Sequence, residues 1–254
     1  MNKLLVILPC YNEEENIGAL ISAWLAEKNK LAQKGFELII APVDDACKDN
    51  TRAVIEKMAL DNSEINLLIH EVNKGLGGGV STGLTHFYKN YSPGDYAVIM
   101  DADNTHDPKY IHSMLDKISD GLDCVIASRY CESSKTVGVP PVRNFLSFGA
   151  RIYYSAVLGV KNVRDYTCGY RIYSYDIIQK AFDIYGENLV EERGFSCMME
   201  VLFKLYRAGA KFGEIPFELR YDNKKGESKM NIFKTIHSSF VTAVKLKFKI
   251  KKRK

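Results

Sequence analysis

The sequence predicts an α/β domain, a doubly wound and mostly parallel sheet with helices on its faces. Three observations predict it. Short apolar runs alternate with helix-period segments through the first half. The runs end in polar or acidic clusters, and 254 residues with 46% hydrophobic and 26% charged side chains can bury one large core. The same fractions exclude collagen-like, disordered and disulfide-scaffold chains. In such sheets ligands bind beyond the carboxyl ends of the strands, so the residues after each apolar run carry the functional reading.

Residues 3–8 (Lys3 to Leu8) form the first predicted strand; the run before Pro9 is too short for a signal peptide. Residues 13–27 follow as a helix, with Ile17, Leu20, Ile21, Trp24 and Leu25 at helical spacing. A strand over 36–43 leads to a helix over 49–60, with Asp49 as its cap, and 65–71 is a third strand. A helix over 84–91, a strand over 96–100, a helix over 108–119 opened by Pro108, and a strand over 125–128 complete the alternation. Residues 131–142, with Gly138, Pro140 and Pro141, read as a loop. Further helical patterns follow, among them an amphipathic segment over 195–208, before a late strand over 211–216. No window approaches about 18 apolar residues, the length of a membrane span.

The net charge of +4 is unevenly placed. From Lys224 onward eleven basic residues face one acid, Glu227, leaving 24 basic and 30 acidic side chains in the body. Residues 1–228 are therefore expected to form the globular body and 229–254 a basic tail. In the tail, Ile232, Phe233, Ile236, Phe240, Val241 and Val244 share one helical stripe, with lysines elsewhere. Such a helix suits an anionic membrane interface, and the stripe can also dock on the body while Lys245 to Lys254 face headgroups. Nucleic acid is not an expected partner, because the lysine run from Lys245 to Lys254 has no interleaved aromatic beyond Phe248 and the body is acidic. Six cysteines without metal-ligand spacing read as reduced thiols of a cytoplasmic protein.

Three strand ends carry the chemistry. The first runs into Pro9-Cys10-Tyr11-Asn12-Glu13-Glu14, the second into Asp44-Asp45, and the fourth into Asp101-Ala102-Asp103. Carboxylates at the exits of buried strands are costly unless a cation meets them. An Asp-x-Asp pair supplies two hard oxygen ligands for Mg²⁺ or Mn²⁺, which in turn bridges a diphosphate. Asn73-Lys74-Gly75-Leu76-Gly77-Gly78-Gly79 precedes a helix, where bare backbone N–H groups can approach an anion. A plain glycine-rich connection is the alternative. The segment matches neither the dinucleotide fingerprint nor a P-loop, which argues against an NAD enzyme or a kinase.

Taken in order, these motifs resemble the inverting family 2 glycosyltransferases with a GT-A fold, and within them the dolichol-phosphate mannose synthase group. The likeness continues through Asp101 to Pro108, Ala127-Ser128-Arg129-Tyr130, Asp165-Tyr166-Thr167-Cys168-Gly169-Tyr170-Arg171, Gly194-Phe195 with Glu200, Glu214-Ile215-Pro216 and Gly226-Glu227-Ser228-Lys229, covering roughly residues 3–230. The resemblance implies that Pro9, Tyr11, Glu13 and Asp44, with Asp45, Lys74, Gly75 and Ala102, hold the nucleotide sugar. It implies metal binding by Asp101 and Asp103, with Thr105 near the coordination sphere. Arg129, Arg143 and Ser147 match the positions that grip the acceptor phosphate, and Arg220, Ser228 and Lys229 those that close over the diphosphate or acceptor. Two departures stand out: Ala46-Cys47 replaces the family's usual Gly-Ser, and Thr105 stands where many relatives have Gln.

Elementary chemistry points the same way. A departing diphosphate gathers negative charge that a divalent cation neutralises. A phosphate acceptor is already ionised at neutral pH, so it needs arginines for position more than a base. A hydroxyl acceptor would need a carboxylate base, for which Asp165 and Glu200 are the candidates; Asp165 can equally serve by hydrogen bonding to nearby backbone. The expected activity is transfer of a mannose- or glucose-like sugar from a GDP- or UDP-sugar to a polyprenyl phosphate on the cytoplasmic membrane face. The alternatives are a transferase extending a glycan or lipid-linked oligosaccharide, and an inactive nucleotide-sugar-binding scaffold.

Overall fold

The structure, a computed structural model, describes residues 1–225 and 232–251; of residues 143–145, 232–238 and 249–251 only the backbone is described. Nine strands and eight α-helices follow one another among these residues: β1 (Asn2–Cys10), α1 (Ile17–Gln33), β2 (Phe36–Asp44), α2 (Thr51–Asp61), β3 (Leu68–Ile69), α3 (Gly75–Asn90), β4 (Tyr96–Ile99), α4 (Ile111–Ser119), β5 (Cys124–Ser128), β6 (Lys135–Val137), α5 (Pro141–Leu158), β7 (Arg171–Ser174), α6 (Tyr175–Tyr185), α7 (Cys197–Arg207), β8 (Phe212–Pro216), β9 (Glu218–Arg220) and α8 (Ile232–Lys251).

Seven strands form the main sheet in the order β3-β2-β1-β4-β7-β5-β8, while β6 and β9 pair separately. Leu4, Leu5, Val6, Ile7 and Leu8 of β1 are fully buried, because a central strand covered on both faces takes an unbroken apolar run. β1 runs parallel to β2 and β4, and β5 parallel to β8; only β7 is antiparallel, inserted between β4 and β5. The predicted sheet is thus mostly parallel, with one inversion. β7 went unpredicted because its four residues include Arg171. That side chain is fully buried and donates to the Met198 and Tyr166 carbonyls at 2.6 and 2.8 Å.

The third predicted strand shrinks to two residues plus a bridge from Ile65 to Ile40. The glycine run, expected as a loop, forms the first turns of α3. A Cβ on Gly77 would lie 1.7 Å from the Glu192 carbonyl oxygen, so close backbone approach outweighs glycine's poor helix propensity. Within the predicted loop 131–142 lies β6, and α5 starts at Pro141, behind Pro140, and ends on Gly159 in the left-handed conformation.

α8 packs against α5 and α7, with Phe240 against Tyr153 at 4.0 Å between ring centroids. Among its described side chains Ser239, Thr242, Ala243 and Leu246 are buried. Val241 and Val244, which the sequence placed on a packing stripe, are exposed, as is Phe248. The side chains of Ile232, Phe233 and Ile236 lie outside the described residues. Among the described residues no helix is long and apolar enough to cross a membrane.

Candidate active site

A cavity of about 420 Å³ opens where β1, β2, β4 and β5 end, and Pro9, Asp45, Asp101 and Arg129 reach it from those four strand ends. Tyr11, Glu13, Gly75, Ala102, Asp103, Thr105 and Ser147 also line it. Strands separated by up to 120 residues of chain thus deliver their terminal polar groups to one place, as parallel topology requires.

Asp101 and Asp103 form the floor. Asp103 accepts from Thr105 Oγ1 at 2.7 Å on one oxygen and from Lys224 Nζ at 2.8 Å on the other. Asp101 makes no hydrogen bond among the described residues. A Cβ on Gly169 would lie 2.7 Å from Asp101 Oδ1, so a side chain there is incompatible with the carboxylate's position. Burial, and after it the Asp103 charge, push the Asp101 carboxyl up to about 7. Burial acts on Asp103 in the same direction, but Lys224 outweighs it and holds that carboxyl below its ordinary range. Two neighbouring carboxylates, one without a donor and one held by Lys224 and Thr105, fit a divalent cation with hard oxygen preference. Among the described residues no cluster of three or more His, Cys, Asp or Glu could hold a metal alone, so the remaining ligands would come from the diphosphate or water. Thr105, expected near the coordination sphere, spends its hydroxyl proton on Asp103.

The paired acids after β2 are occupied by their own chain. Asp44 is fully buried and takes Cys47 N at 2.9 Å and Arg52 Nε at 2.6 Å; it does not reach the cavity wall. Asp45 accepts from His70 Nδ1 at 2.7 Å, Lys74 N at 2.7 Å and Gly75 N at 2.8 Å. The N-terminus of α3, read as a place for a ligand anion, therefore already holds one. Lys74 lies off the cavity wall. Ala46, standing where the family usually has Gly, adopts φ 56°. The glycine-type turn is kept, at a strain of about 1–2 kcal/mol.

Arg129 meets Asp165 in a two-pronged ion pair, Nε and Nη2 each at 2.7 Å, and Nη2 also donates to Thr167 Oγ1 at 2.6 Å. Nη1 has no partner among the described residues. Asp165 is fully buried and accepts in addition from the backbone N–H groups of Arg129, Thr167 and Cys168. Burial pushes its carboxyl up, but the Arg129 charge and these hydrogen bonds outweigh it and bring it down to about 2. A carboxylate this acidic, with donors on both oxygens, is no general base. Glu200 is equally committed: it takes Lys204 Nζ at 2.6 Å and the backbone N–H groups of Glu191 and Glu192.

Arg220 points away from the cavity wall and pairs with Asp222 and Glu218. The Arg143 side chain, Ser228 and Lys229 lie outside the described residues. Sequence reasoning passed over His70, which fixes Asp45, and Lys224, which meets Asp103. It also passed over the apolar wall of Leu146, Ala150, Tyr154 and Phe195. Leu146, Ala150 and Tyr154 sit at helical spacing beside Ser147, a signal that would have placed this face of α5 in the site.

Known proteins resemble the chain over most of its length. The family model described as "Glycosyl transferase family 2" matches residues 5–182. The undecaprenyl-phosphate mannosyltransferase of Micrococcus luteus is 30% identical over 233 residues, covering 90% of this chain and 88% of that protein. The polyprenol monophosphomannose synthase of Mycolicibacterium smegmatis is 29% identical, covering 90% and 81%. Among solved structures, glucosyl-3-phosphoglycerate synthase from Mycobacterium tuberculosis, in complex with Mn²⁺, UDP and glucosyl-3-phosphoglycerate, superposes with a TM-score of 0.66. It is 16% identical and covers 97% of this chain and 79% of its own, a likeness that shows the shared GT-A fold. The family match spans most of the chain and its relatives match nearly all of it: the protein is a glycosyltransferase and belongs to family 2.

Proposed function

We propose that the chain transfers a hexosyl group from a GDP- or UDP-linked sugar to the phosphate of a polyprenyl phosphate, with inversion and with Mg²⁺ or Mn²⁺. The observation that carries the acceptor assignment is the pairing of Arg129 with Asp165. The carboxylate that could have been a base is converted into a holder for a guanidinium, whose Nη1 edge remains for a phosphate at the cavity wall. The acceptor functions printed in the names of the Micrococcus and Mycolicibacterium relatives support the same reading.

The chemistry needs no proton to move. An ionised phosphate oxygen forms a bond to the anomeric carbon as the bond to the diphosphate breaks, and the electron pair leaves with the nucleoside diphosphate. With Asp165 committed to Arg129, and Asp101 and Asp103 assigned to the cation, a single displacement would invert the anomeric centre. Asp101 and Asp103 would hold the cation, which supplies charge neutralisation to the leaving diphosphate. Pro9, Tyr11 and Glu13 would flank the nucleotide, and Arg143, Ser147, Ser228 and Lys229 would complete the grip on acceptor and diphosphate. Asp45 and Gly75 would shape the wall beside the nucleotide, and Asp44 and Lys74 would act behind it, holding the loops.

We assign the acceptor's lipid chain to the wall of Leu146, Ala150, Tyr154 and Phe195. The outer face of α5 exposes Val142, Phe148 and Ile152, and α8 exposes Val241, Val244 and Phe248 beside Lys245 and Lys247. Apolar side chains interleaved with lysines suit the cytoplasmic leaflet of an anionic membrane, with residues 1–228 as the catalytic body and 229–254 as the basic segment at the surface. The test is Arg129→Lys. It should raise the KM for polyprenyl phosphate about tenfold or more, because one ammonium replaces a forked donor, and leave nucleotide binding unchanged. An unchanged acceptor KM would remove Arg129 from the acceptor site.

A further inference from the structure

Lys224 lines the cavity, and its ammonium contacts Asp103 in a largely shielded pair, with side chains 14% and 19% exposed. Its place is built rather than incidental. Arg220 N donates to the Thr105 carbonyl at 3.1 Å, tying the chain just before it to the Asp-x-Asp loop. On the other side Lys225 N donates to Asn16 Oδ1 at 3.0 Å, and Asn16 Nδ2 returns a bond to the Lys225 carbonyl at 3.1 Å. Asn16 is itself buried and donates to Glu13 Oε2 at 2.8 Å. The backbone on both sides of Lys224 is thus stitched over the cavity, while its four-carbon stem can change the direction of the ammonium.

One ammonium sits beside two carboxylates that fit a divalent cation, and a cation joining Asp103 would meet it at close range. We propose that Lys224 has two successive partners: Asp103 before the donor arrives, and the donor's diphosphate once a divalent cation has taken Asp103. The inference rests on the metal assignment proposed above. In the first state Lys224 keeps the buried acids from standing uncompensated, which would be costly. In the second it is expelled from Asp103 by like-charge repulsion, and the incoming diphosphate is the anion within reach of its stem. The lysine thereby opposes metal binding to the empty enzyme and favours metal binding together with nucleotide, which gives an ordered loading of the site.

The experiment titrates Mn²⁺ alone into the wild type, Lys224→Met and Lys224→Arg, following free Mn²⁺ by electron paramagnetic resonance. GDP and UDP binding at saturating Mn²⁺ is then measured by calorimetry. Lys224→Met should bind Mn²⁺ alone about tenfold more tightly and its preferred nucleoside diphosphate about tenfold more weakly, the scale of one charge-assisted hydrogen bond in each state. Lys224→Arg should stay within about threefold of the wild type in both. A Met variant that shifts both affinities in the same direction, or only one of them, or neither, overturns the inference and leaves the metal assignment standing. A wild type that binds no Mn²⁺ even with GDP or UDP overturns the metal assignment, and this inference with it.

Discussion

Asp165→Asn changes one atom of the side chain and reverses the character of a buried cluster. Six donors converge on the Asp165 carboxylate: Arg129 Nε and Nη2, both at 2.7 Å, the backbone N–H groups of Arg129, Thr167 and Cys168 at 3.1, 3.2 and 3.0 Å, and the Thr167 hydroxyl at 3.5 Å. An amide would turn one acceptor into a donor facing other donors, and would leave the Arg129 charge without its counterion. Breaking a buried pair in this way costs about 3–5 kcal/mol. The proton-linkage side gives a compatible figure. The folded-state value of about 2 lies below the ordinary 3.8 of an aspartate, which corresponds to about 2 kcal/mol carried by ionised Asp165. Because the folded value is depressed, this stabilisation is fully present above about pH 4 and is lost as pH falls through 2. Denaturant unfolding of wild type and variant should therefore show a gap of about 3–5 kcal/mol at pH 7 that narrows below pH 4. A variant within about 1 kcal/mol of the wild type at pH 7, or a gap that does not narrow in acid, would refute the reasoning.

Gly169→Ala places a Cβ 2.7 and 2.8 Å from the two Asp101 oxygens, so the carboxylate must turn away. Mn²⁺ binding in the presence of nucleotide should weaken at least tenfold, with a folding cost of about 1–3 kcal/mol; normal Mn²⁺ affinity would show that Asp101 is not a ligand. Val244→Glu with Phe248→Glu alters side chains that are 41% and 63% exposed, so stability should stay within about 0.5 kcal/mol. Sedimentation with anionic vesicles should fall in the same variant, and undiminished vesicle binding would remove α8 from the membrane surface. Raising salt should weaken the wild type's vesicle binding, since lysine attraction to headgroups is screened within about 8–10 Å.

Much of the fold was legible because buried parallel strands announce themselves. β1, β2, β4 and β5 are unbroken apolar runs, and each was placed to within a residue or two at its functional carboxyl end. The elements that went unread depend on distant partners. α3 starts in a glycine run because Glu192 and Arg193 need its bare backbone, and β7 hides a buried arginine satisfied by carbonyls elsewhere in the chain. The same distinction governs the site. The sequence located the acids at the strand ends, since spacing and burial cost make them conspicuous. It could not tell which of them face a ligand. Asp45 is matched by His70 and Asp165 by Arg129, pairings set by folding across 25 and 36 residues of chain. Asp101 and Asp103, with Lys224 on Asp103, are the pair we propose meets a cation.

The account turns on an acceptor that arrives already charged. The direct measurement offers the purified protein two lipids of the same chain length, a polyprenyl phosphate and the corresponding polyprenol, with Mn²⁺ and radiolabelled GDP-mannose or UDP-glucose. The account predicts label transferred only to the phosphate, as a lipid monophosphate sugar of inverted anomeric configuration, with one nucleoside diphosphate released per transfer. Comparable transfer to the polyprenol, or a product of retained configuration, would contradict it.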